Sequence, residues 1–495
     1  MKFDLLYLGD RPELSGDREI CRTAKLDEVF SVFMIDAEKT GNFLGVVSSP
    51  LTNPDEISYR QEILTDFLDH PGLFERIREV SDEFDRTKRN FMTAKRERMK
   101  NSVSGVTGLS PDVMKAGCRV SAGILCDILG KIRTLAGYSS CGVKSRGLSD
   151  FFGKLLEFCG KEEFAKLQRL SGKLEYRESN LPTDLRIKLG DGGVVGAELC
   201  EHRFTPKKPE KRSIFRKKEE RAAPPDNGRV AFGTYGREIY EKLAAMPFSF
   251  LASELDNATG QLLGAFADLS ADLDFYECAI YYVGYLKKRG IPLSFPTFGA
   301  RNIECLYPSD MITKIENPAD IVPQSLPDTR NILIYGKNNS GKTVFLTSLA
   351  SATLLAQAGL PVPAESAEMR IYRRVVMLLA GESDRNFAKN DPPLSGNAAP
   401  LFGGFEEEVR KVAELVDSDL SDSLVLLNEP FQTTAYKEGA AGLHGLMEYF
   451  SRIGADYVIT THMTAELFPL MRDGEAAILE FGTDHVGRIG GKGIK

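Results

Sequence analysis

Residues Gly336 to Thr343 read Gly-Lys-Asn-Asn-Ser-Gly-Lys-Thr, a Gly-x-x-x-x-Gly-Lys-Thr spacing. This pattern suits a phosphate cradle. Gly336 and Gly341 free the backbone to curl, so that the N–H groups along Lys337, Asn338, Asn339 and Ser340 point inward at phosphate oxygens. Lys342 would reach the β- and γ-phosphates of a bound nucleotide, and the Thr343 hydroxyl would ligate Mg²⁺. Two further groups stand at the ends of apolar runs. Ser423-Leu-Val-Leu-Leu-Asn-Glu-Pro ends in Asn428 and Glu429. In phosphate-loop proteins a carboxylate at this place holds Mg²⁺ and the adjacent glutamate orients the attacking water. Glu429 fits the second role, close to the metal. Asn428 is a neutral amide that can accept a hydrogen bond from a metal-bound water. It brings no charge, which predicts weaker Mg²⁺ binding or slower turnover. Tyr457-Val-Ile-Thr-Thr-His462 is another strand pattern, ending in a histidine that could sense the γ-phosphate or polarise water.

These residues need a strand, a loop and a helix in that order to hold them. The apolar run Ile332 to Tyr335 predicts the strand, and Val344 to Ala358 predicts the helix, capped by Gly359. Val375 to Leu379 predicts a further strand, 381–404 a loop, and Phe405 to Val416 a helix. From about Asn302 the chain alternates strand and helix patterns, so 301–495 is expected to be an α/β domain with a mixed sheet. Residues 46–300 are expected to be mainly α-helical. A helix start stands at Pro54-Asp55 and a stop near His70; a second helix follows over about Leu73 to Lys100. Residues 101–180 look largely helical, and 234–290 shows one long helical pattern ending at Gly290. Between them, Leu185 to Leu189 and Val194 to Leu199 predict two strands around a tight turn. No chemistry is read in residues 1–45.

The chain has 495 residues, enough for several domains with ample core. Its 63 basic and 70 acidic residues leave a net charge of −7, which excludes a globally basic nucleic-acid binder and leaves local patches. One patch is the later part of the second helix, from Arg86 and Lys88 to Lys100, which reads as a solvated face or as a phosphate-contacting surface. Another holds Arg203, Lys207, Lys208, Lys211, Arg212, Arg216, Lys217, Lys218 and Arg221 in a polar stretch ending at Gly228. It reads equally as an arm that clamps a phosphate backbone or as a solubilising insertion. The eight cysteines lack paired zinc spacing and read as reduced thiols of a cytoplasmic protein. The start shows no signal-peptide pattern. Thr343 to Ala364 lacks charge and is long enough to span a membrane, but its Ser, Thr, Gln and Gly content and its place after the glycine loop predict a buried helix instead.

Together these segments resemble the MutS family of DNA mismatch-repair ATPases. Gly336 to Thr343 is similar to the family's Gly-Pro-Asn-x-x-Gly-Lys-Ser/Thr, with Asn338 on the family asparagine. Leu355-Ala-Gln-Ala-Gly-Leu-Pro-Val-Pro-Ala-Glu-Ser-Ala is the most specific match. Leu427-Asn-Glu-Pro, the loop Thr434 to Gly439, and Thr461-His462 resemble the motifs that follow. Pro50-Leu51, Ile57 and Arg60-Gln61 resemble the start of the family's core region, and Leu273-Asp274 to Phe298 resembles the helix that returns to the ATPase. The resemblance implies a phosphate-loop (ABC-type) ATPase domain at 301–495, using ATP and Mg²⁺. It implies helical levers at 46–300, with a clamp-like insertion at 184–230, after an N-terminal segment at 1–45. It further implies a homodimer through the ATPase domain and DNA as partner, without a membrane.

The chain departs from the family pattern at Lys337, which replaces a proline, and at Asn428, which replaces an aspartate. It also has Gly403-Gly404 where the family's trans-acting signature has Ser/Thr. On the family pattern, neither a mismatch-reading domain before residue 48 nor a dimerisation or nuclease segment after His462 is expected. One reading is a dimeric, ATP-gated clamp on mismatched or branched DNA. The other is a nucleotide-bound switch or scaffold with little or no turnover. A transporter or chromosome-clamp ATPase is disfavoured because a Leu-Ser-Gly-Gly-Gln signature is absent.

Overall fold

The computed structural model describes the chain except residues 1–2, 10, 13–17, 35, 104–110, 176–182, 191–192, 202–233, 327, 380–403, 483 and 491–495. The chain packs as two units. One comprises Glu79–Ser139 and Phe152–Ala267; the other comprises Phe3–Arg78, Ser140–Phe151 and Asp268–Lys495.

The helical elements come first in the chain. They are α1 (Arg18–Thr23), α2 (Leu26–Ser31), α3 (Ala37–Val47), α4 (Pro54–Asp69), α5 (Pro71–Val103), α6 (Pro111–Gly137), α7 (Arg146–Gly160) and α8 (Glu162–Glu175). A hairpin of β1 (Thr183–Gly190) and β2 (Gly193–Glu201) follows, then α9 (Thr234–Ala265) and α10 (Leu269–Lys288). Local chemistry accounts for the boundaries. The Asn53 side chain accepts from Asp55 N–H at 3.0 Å, and Pro54 occupies the first turn of α4, where a missing N–H costs nothing.

In the first unit α6 packs against α8 and α9. Leu125, Ile128, Leu129, Ile132 and Leu135 of α6 are fully buried at helical spacing. Phe84 of α5 stacks on Phe266 with ring centroids 4.7 Å apart. The two strands expected around residue 191 pair antiparallel, Leu185 opposite Leu199. Arg86, Lys88, Arg89, Lys95 and Arg96 on α5 are exposed. The continuous helix expected over 234–290 is instead two helices, with a turn at 266–268. Phe266 is buried in one unit, and Leu269 and Leu273 are buried in the other.

The second unit carries two sheets. The elements are β3 (Thr297–Phe298), β4 (Asn302–Leu306), α11 (Ser309–Lys314), β5 (Gln324–Leu326), β6 (Ile332–Gly336), α12 (Lys342–Gln357), β7 (Ser366–Met369), β8 (Arg374–Leu379), α13 (Gly404–Asp417), β9 (Ser423–Asn428), α14 (Tyr436–Ile453), β10 (Asp456–Thr460), α15 (Thr464–Leu467), β11 (Ala477–Phe481) and β12 (Gly487–Gly490). The larger sheet has the order β12-β11-β6-β10-β9-β8. Its neighbours pair parallel except β11 and β12. A smaller sheet has the order β3-β7-β4-β5. Strands β9 and β10 are buried along almost their whole length, and β6 over Ile332 to Ile334, because both faces are covered. On one face Leu443, Met447 and Phe450 of α14 pack on Val425, Leu427 and Ile459. The uncharged stretch after the glycine loop is α12, buried from Phe345 to Gln357, and no described helix is long and apolar enough to cross a membrane.

The C-terminal end of α12 is tied to the helices before it. Gln357, fully buried, donates to Leu51 O at 2.9 Å and Tyr372 O at 2.7 Å, and accepts from Tyr372 N–H at 3.0 Å. Arg60, also fully buried, donates from Nε to Leu6 O at 2.8 Å and from Nη1 to Ala358 O at 3.3 Å. Its guanidinium lies 4.7 Å from the Tyr7 ring centroid and 5.5 Å from that of Phe275. Gly359 turns away from α12 at φ +85, and a Cβ there would stand 2.6 Å from Arg60 Cβ. The stretch 355–364 is thus a docking hub. Val362 bridges Ser294, and Pro363 O accepts from Tyr307 N–H at 2.7 Å.

Gln357→Ala would leave three buried backbone groups without partners. At 1–3 kcal/mol each, with partial relaxation, a loss of about 3 kcal/mol in unfolding free energy is expected. Urea denaturation of the variant checks it; an unchanged midpoint would show that the hub does not carry stability.

Candidate functional site

The carboxyl ends of parallel β6, β9 and β10 lie side by side because Thr460 is in register with both Ile334 and Asn428. A crevice at such strand ends is where open α/β sheets bind ligands. Here the chain leaves β6 at Gly336, runs through 337–341, and enters α12 at Lys342. Gly336 must be glycine: a Cβ would stand 2.5 Å from Phe481 O of the neighbouring strand. Lys342 is 5% exposed and its Nζ donates to Gly336 O at 3.0 Å and Lys337 O at 3.1 Å, so the loop curls around its own lysine.

Five of the residues singled out from sequence, Lys342, Thr343, Asn428, Glu429 and His462, meet at this end. Glu429 follows β9 with φ +51, a backbone region that a non-glycine residue rarely adopts. It is held there because its N–H donates to Thr460 O at 3.1 Å and to Thr460 Oγ1 at 2.9 Å. The carboxylate Oε1 lies 2.5 Å from His462 Nε2 and 3.4 Å from Lys342 Nζ, and Oε2 accepts from Gln432. Asn428 Oδ1 accepts from Thr343 Oγ1 and from Thr460 Oγ1, each at 3.0 Å. Its two hydrogen bonds occupy the amide oxygen with protein hydroxyls.

A cavity of about 740 Å³ opens beside this cluster. Asn338, Asn339, Ser340, Gly341, Lys342, Thr343, Asn428 and Glu429 line it; Gly336 and Lys337 contribute the carbonyls under Lys342. Ser340 Oγ is buried without a hydrogen-bond partner, a donor left over for a ligand oxygen. The N-terminus of the 16-residue α12 points its free N–H groups and positive dipole end at the same place. These features fit a polyphosphate. Thr343, Asn428 and Glu429, singled out above for a divalent cation, all line this cavity, and Thr343 is hydrogen-bonded to Asn428. A Mg²⁺ ion bound here would draw further ligands from phosphates and water.

The lining also includes an apolar wall of Leu306, Met311, Ile315, Ile321 and Val322, together with Asp320 and with His485, which stands beside Gly341. Gln324 joins two of its walls, donating to His485 O at 2.6 Å and accepting from Gly487 N–H at 2.8 Å. Sequence patterns do not reveal this wall, because it is assembled from the 306–324 stretch and the β11–β12 turn. Thr460 was within reach of sequence reasoning, one strand position before the two residues singled out there.

The remaining candidates fall elsewhere. Lys207, Lys208, Lys211, Arg212, Arg216, Lys217, Lys218 and Gly403 lie outside the described residues. Thr433 Oγ1 donates to Glu408 on α13 at 2.8 Å, joining the loop after β9 to the helix that follows Gly403.

With this geometry in view, comparisons with known proteins are specific. Residues 52–289 match the MutS2 N-terminal domain, and residues 332–477 match MutS domain V. The chain is 27% identical over 209 residues to the Endonuclease MutS2 of Aquifex aeolicus, a match covering 41% of this chain and 24% of that protein. It is 32% identical over 229 residues to the DNA mismatch repair protein MutS of Chlorobium limicola, covering 44% and 24%. It is 29% identical over 148 residues to the Endonuclease MutS2 of Thermotoga petrophila, covering 29% and 18%. The matched stretches span about a quarter or less of these relatives.

Asn428→Asp would place a charge where Thr343 Oγ1 now donates to an amide. Mg²⁺-dependent nucleotide affinity is expected to rise about tenfold, an effect of ~1.4 kcal/mol. Titrating Mg²⁺ against nucleotide binding in both proteins checks this, and equal half-saturation would remove Asn428 from the metal's surroundings.

Proposed function

The chain belongs to the MutS family, and from that premise we propose that it binds and hydrolyses ATP and, as a homodimer through its ATPase domain, closes on mismatched or branched DNA in DNA mismatch repair or a related cytoplasmic repair or recombination process. The observation that carries the reading is Glu429. It sits at a strand end in a strained backbone conformation, between Lys342 and His462 and on the wall of the cavity.

In this reading the loop 336–343 holds the phosphates through its N–H groups, Ser340 Oγ and Lys342. Lys342 Nζ keeps two carbonyl contacts and has one N–H free to turn between Glu429 and a phosphate oxygen. Glu429 accepts a hydrogen bond from the attacking water and takes its proton as the bond to phosphorus forms. His462, 2.5 Å from that carboxylate, fixes its orientation. Mg²⁺, when bound at Thr343 and, through water, at Asn428, supplies charge that offsets the phosphates. DNA contacts fall to the basic stretch at Lys207–Lys218, and the exposed Arg86, Lys88, Arg89, Lys95 and Arg96 face of α5 is a second candidate surface.

A second reading has support from Asn428. Its oxygen is engaged by Thr343 and Thr460, and it lacks the charge of a carboxylate. A protein with this arrangement can hold nucleotide and switch conformation with little turnover.

ATP turnover separates the two. Rates with no DNA, homoduplex, a single mismatch and a four-way junction are expected to differ, with one DNA form stimulating. Glu429→Gln is expected to lower turnover by about a hundredfold or more while leaving ATP binding in place. ATP binding with no measurable turnover in any condition would leave the switch.

A further inference from the structure

The apolar wall of the cavity is held from outside it. Helix α11 ends at Lys314, and Ile315 and Glu316 then run on with their carbonyls past the last helical turn, where backbone oxygens lack intrahelical donors. Arg289, the C-cap residue of α10, supplies donors. Its Nη2 donates to Ile315 O and, at 3.1 Å, to Glu316 O. The guanidinium lies 5.7 Å from the Tyr285 ring centroid, one turn back on α10, which limits its swing. A positive charge at the end of α11 also meets the negative end of that helix.

Ile315 lines the cavity, as does Met311 one turn earlier on α11. The same short helix is braced on another side by α2, where Lys314 Nζ lies 3.0 Å from Glu28 Oε2. That ion pair is half exposed on both partners and constrains little. The Arg289 contacts are different in kind. They hold the backbone of a wall residue, and they join it to α10, the first helix after the chain re-enters the second unit at Asp268.

We propose that Arg289 is a positioning residue for the base-binding end of the nucleotide cavity. It fixes the backbone of Ile315, so the apolar wall is preorganised for a large flat base and is mechanically joined to α10. The phosphate end is held by a separate set of residues, 336–343 on β6 and α12, which Arg289 does not touch. Removing the guanidinium therefore weakens recognition of the base and leaves recognition of the phosphates. The inference rests on the nucleotide-binding reading above.

The test uses the full chain and a fluorescent ribose-labelled ADP, displaced by unlabelled ADP and by UDP. ADP carries the larger base and reaches further along the wall. In the wild-type protein ADP is expected to compete at least about tenfold better than UDP. In Arg289→Ala, ADP affinity is expected to fall about tenfold while UDP affinity changes less than about twofold, so the ratio collapses. Arg289→Lys, which keeps a charge and a donor, is expected to recover part of the ratio. Thermal melting of each variant reports on folding. Equal losses for ADP and UDP, or an unchanged ratio in Arg289→Ala, would overturn the inference while leaving nucleotide binding intact. A wild-type ratio near one would overturn it too, since the wall would then read no base. A wild-type protein that binds neither nucleotide would instead remove the nucleotide-binding reading on which the inference stands.

Discussion

A guanidinium taken wholly out of water depends on the contacts around it, and Arg60 draws its own from three separate stretches of chain, through Nε, Nη1 and its cation–π faces, with Nη2 left unpaired. It donates to Leu6 near the N-terminus, donates to Ala358 at the end of α12, and lies against the rings of Tyr7 and Phe275. A buried cation without such partners would carry a desolvation cost of several kcal/mol, roughly the whole stability of a domain. The contacts therefore have to form together, and forming them sets the C-terminal end of α12 against α4 and α10. Gln357 does the same with neutral groups: one amide satisfies Leu51 and both backbone polar atoms of Tyr372. Gly359 is needed beside them because no Cβ fits against Arg60.

The consequence runs the length of the helix. Helix α12 is about 24 Å long at 1.5 Å per residue, stiff, and buried on nearly all sides. With its far end locked by Arg60 and Gln357, its near end has little freedom, and the near end carries the 336–343 loop. The glycine loop is thus positioned from both directions, by the β6 strand that feeds it and by the hub at 355–364. Helices α4 and α10 meet the same hub, so a shift of either would be felt at the loop. Arg289 adds a second route from α10 to the cavity, through Ile315.

At the cavity the polar groups show a division between held and available. Glu429 keeps an unfavourable backbone conformation because Thr460 binds its N–H twice, and its carboxylate is already in contact with three neighbours. Asn428 is satisfied by two hydroxyls. Ser340 Oγ, buried in the loop, is left unpartnered, and Ser340 lines the cavity. An aspartate in place of Asn428 would accept the same two hydrogen bonds and add a charge. The amide therefore preserves the geometry of this corner while lowering its pull on a cation.

Much of this was legible from residue order, because the chemistry of a glycine loop is local. Backbone N–H groups, a lysine and a threonine at consecutive positions form their cradle from one turn of chain, and apolar runs of strand length mark the sheet that carries them. Buried helix α12 was legible for the same reason: an uncharged stretch directly after the loop has nowhere to go but the core. The break between α9 and α10 was not, since the apolar helical pattern continues across the turn at 266–268. Residues 1–45 carried no readable chemistry, yet Leu6 supplies a carbonyl for Arg60 and Glu28 braces α11. Nor could residue order supply the apolar wall of the cavity, Gln324 and His485, or the hold of Arg289 on Ile315. Those contacts join positions 26 to 161 residues apart. Spacing along a chain carries no record of such meetings, and they exist only once the sheet has closed and the helices have packed around it.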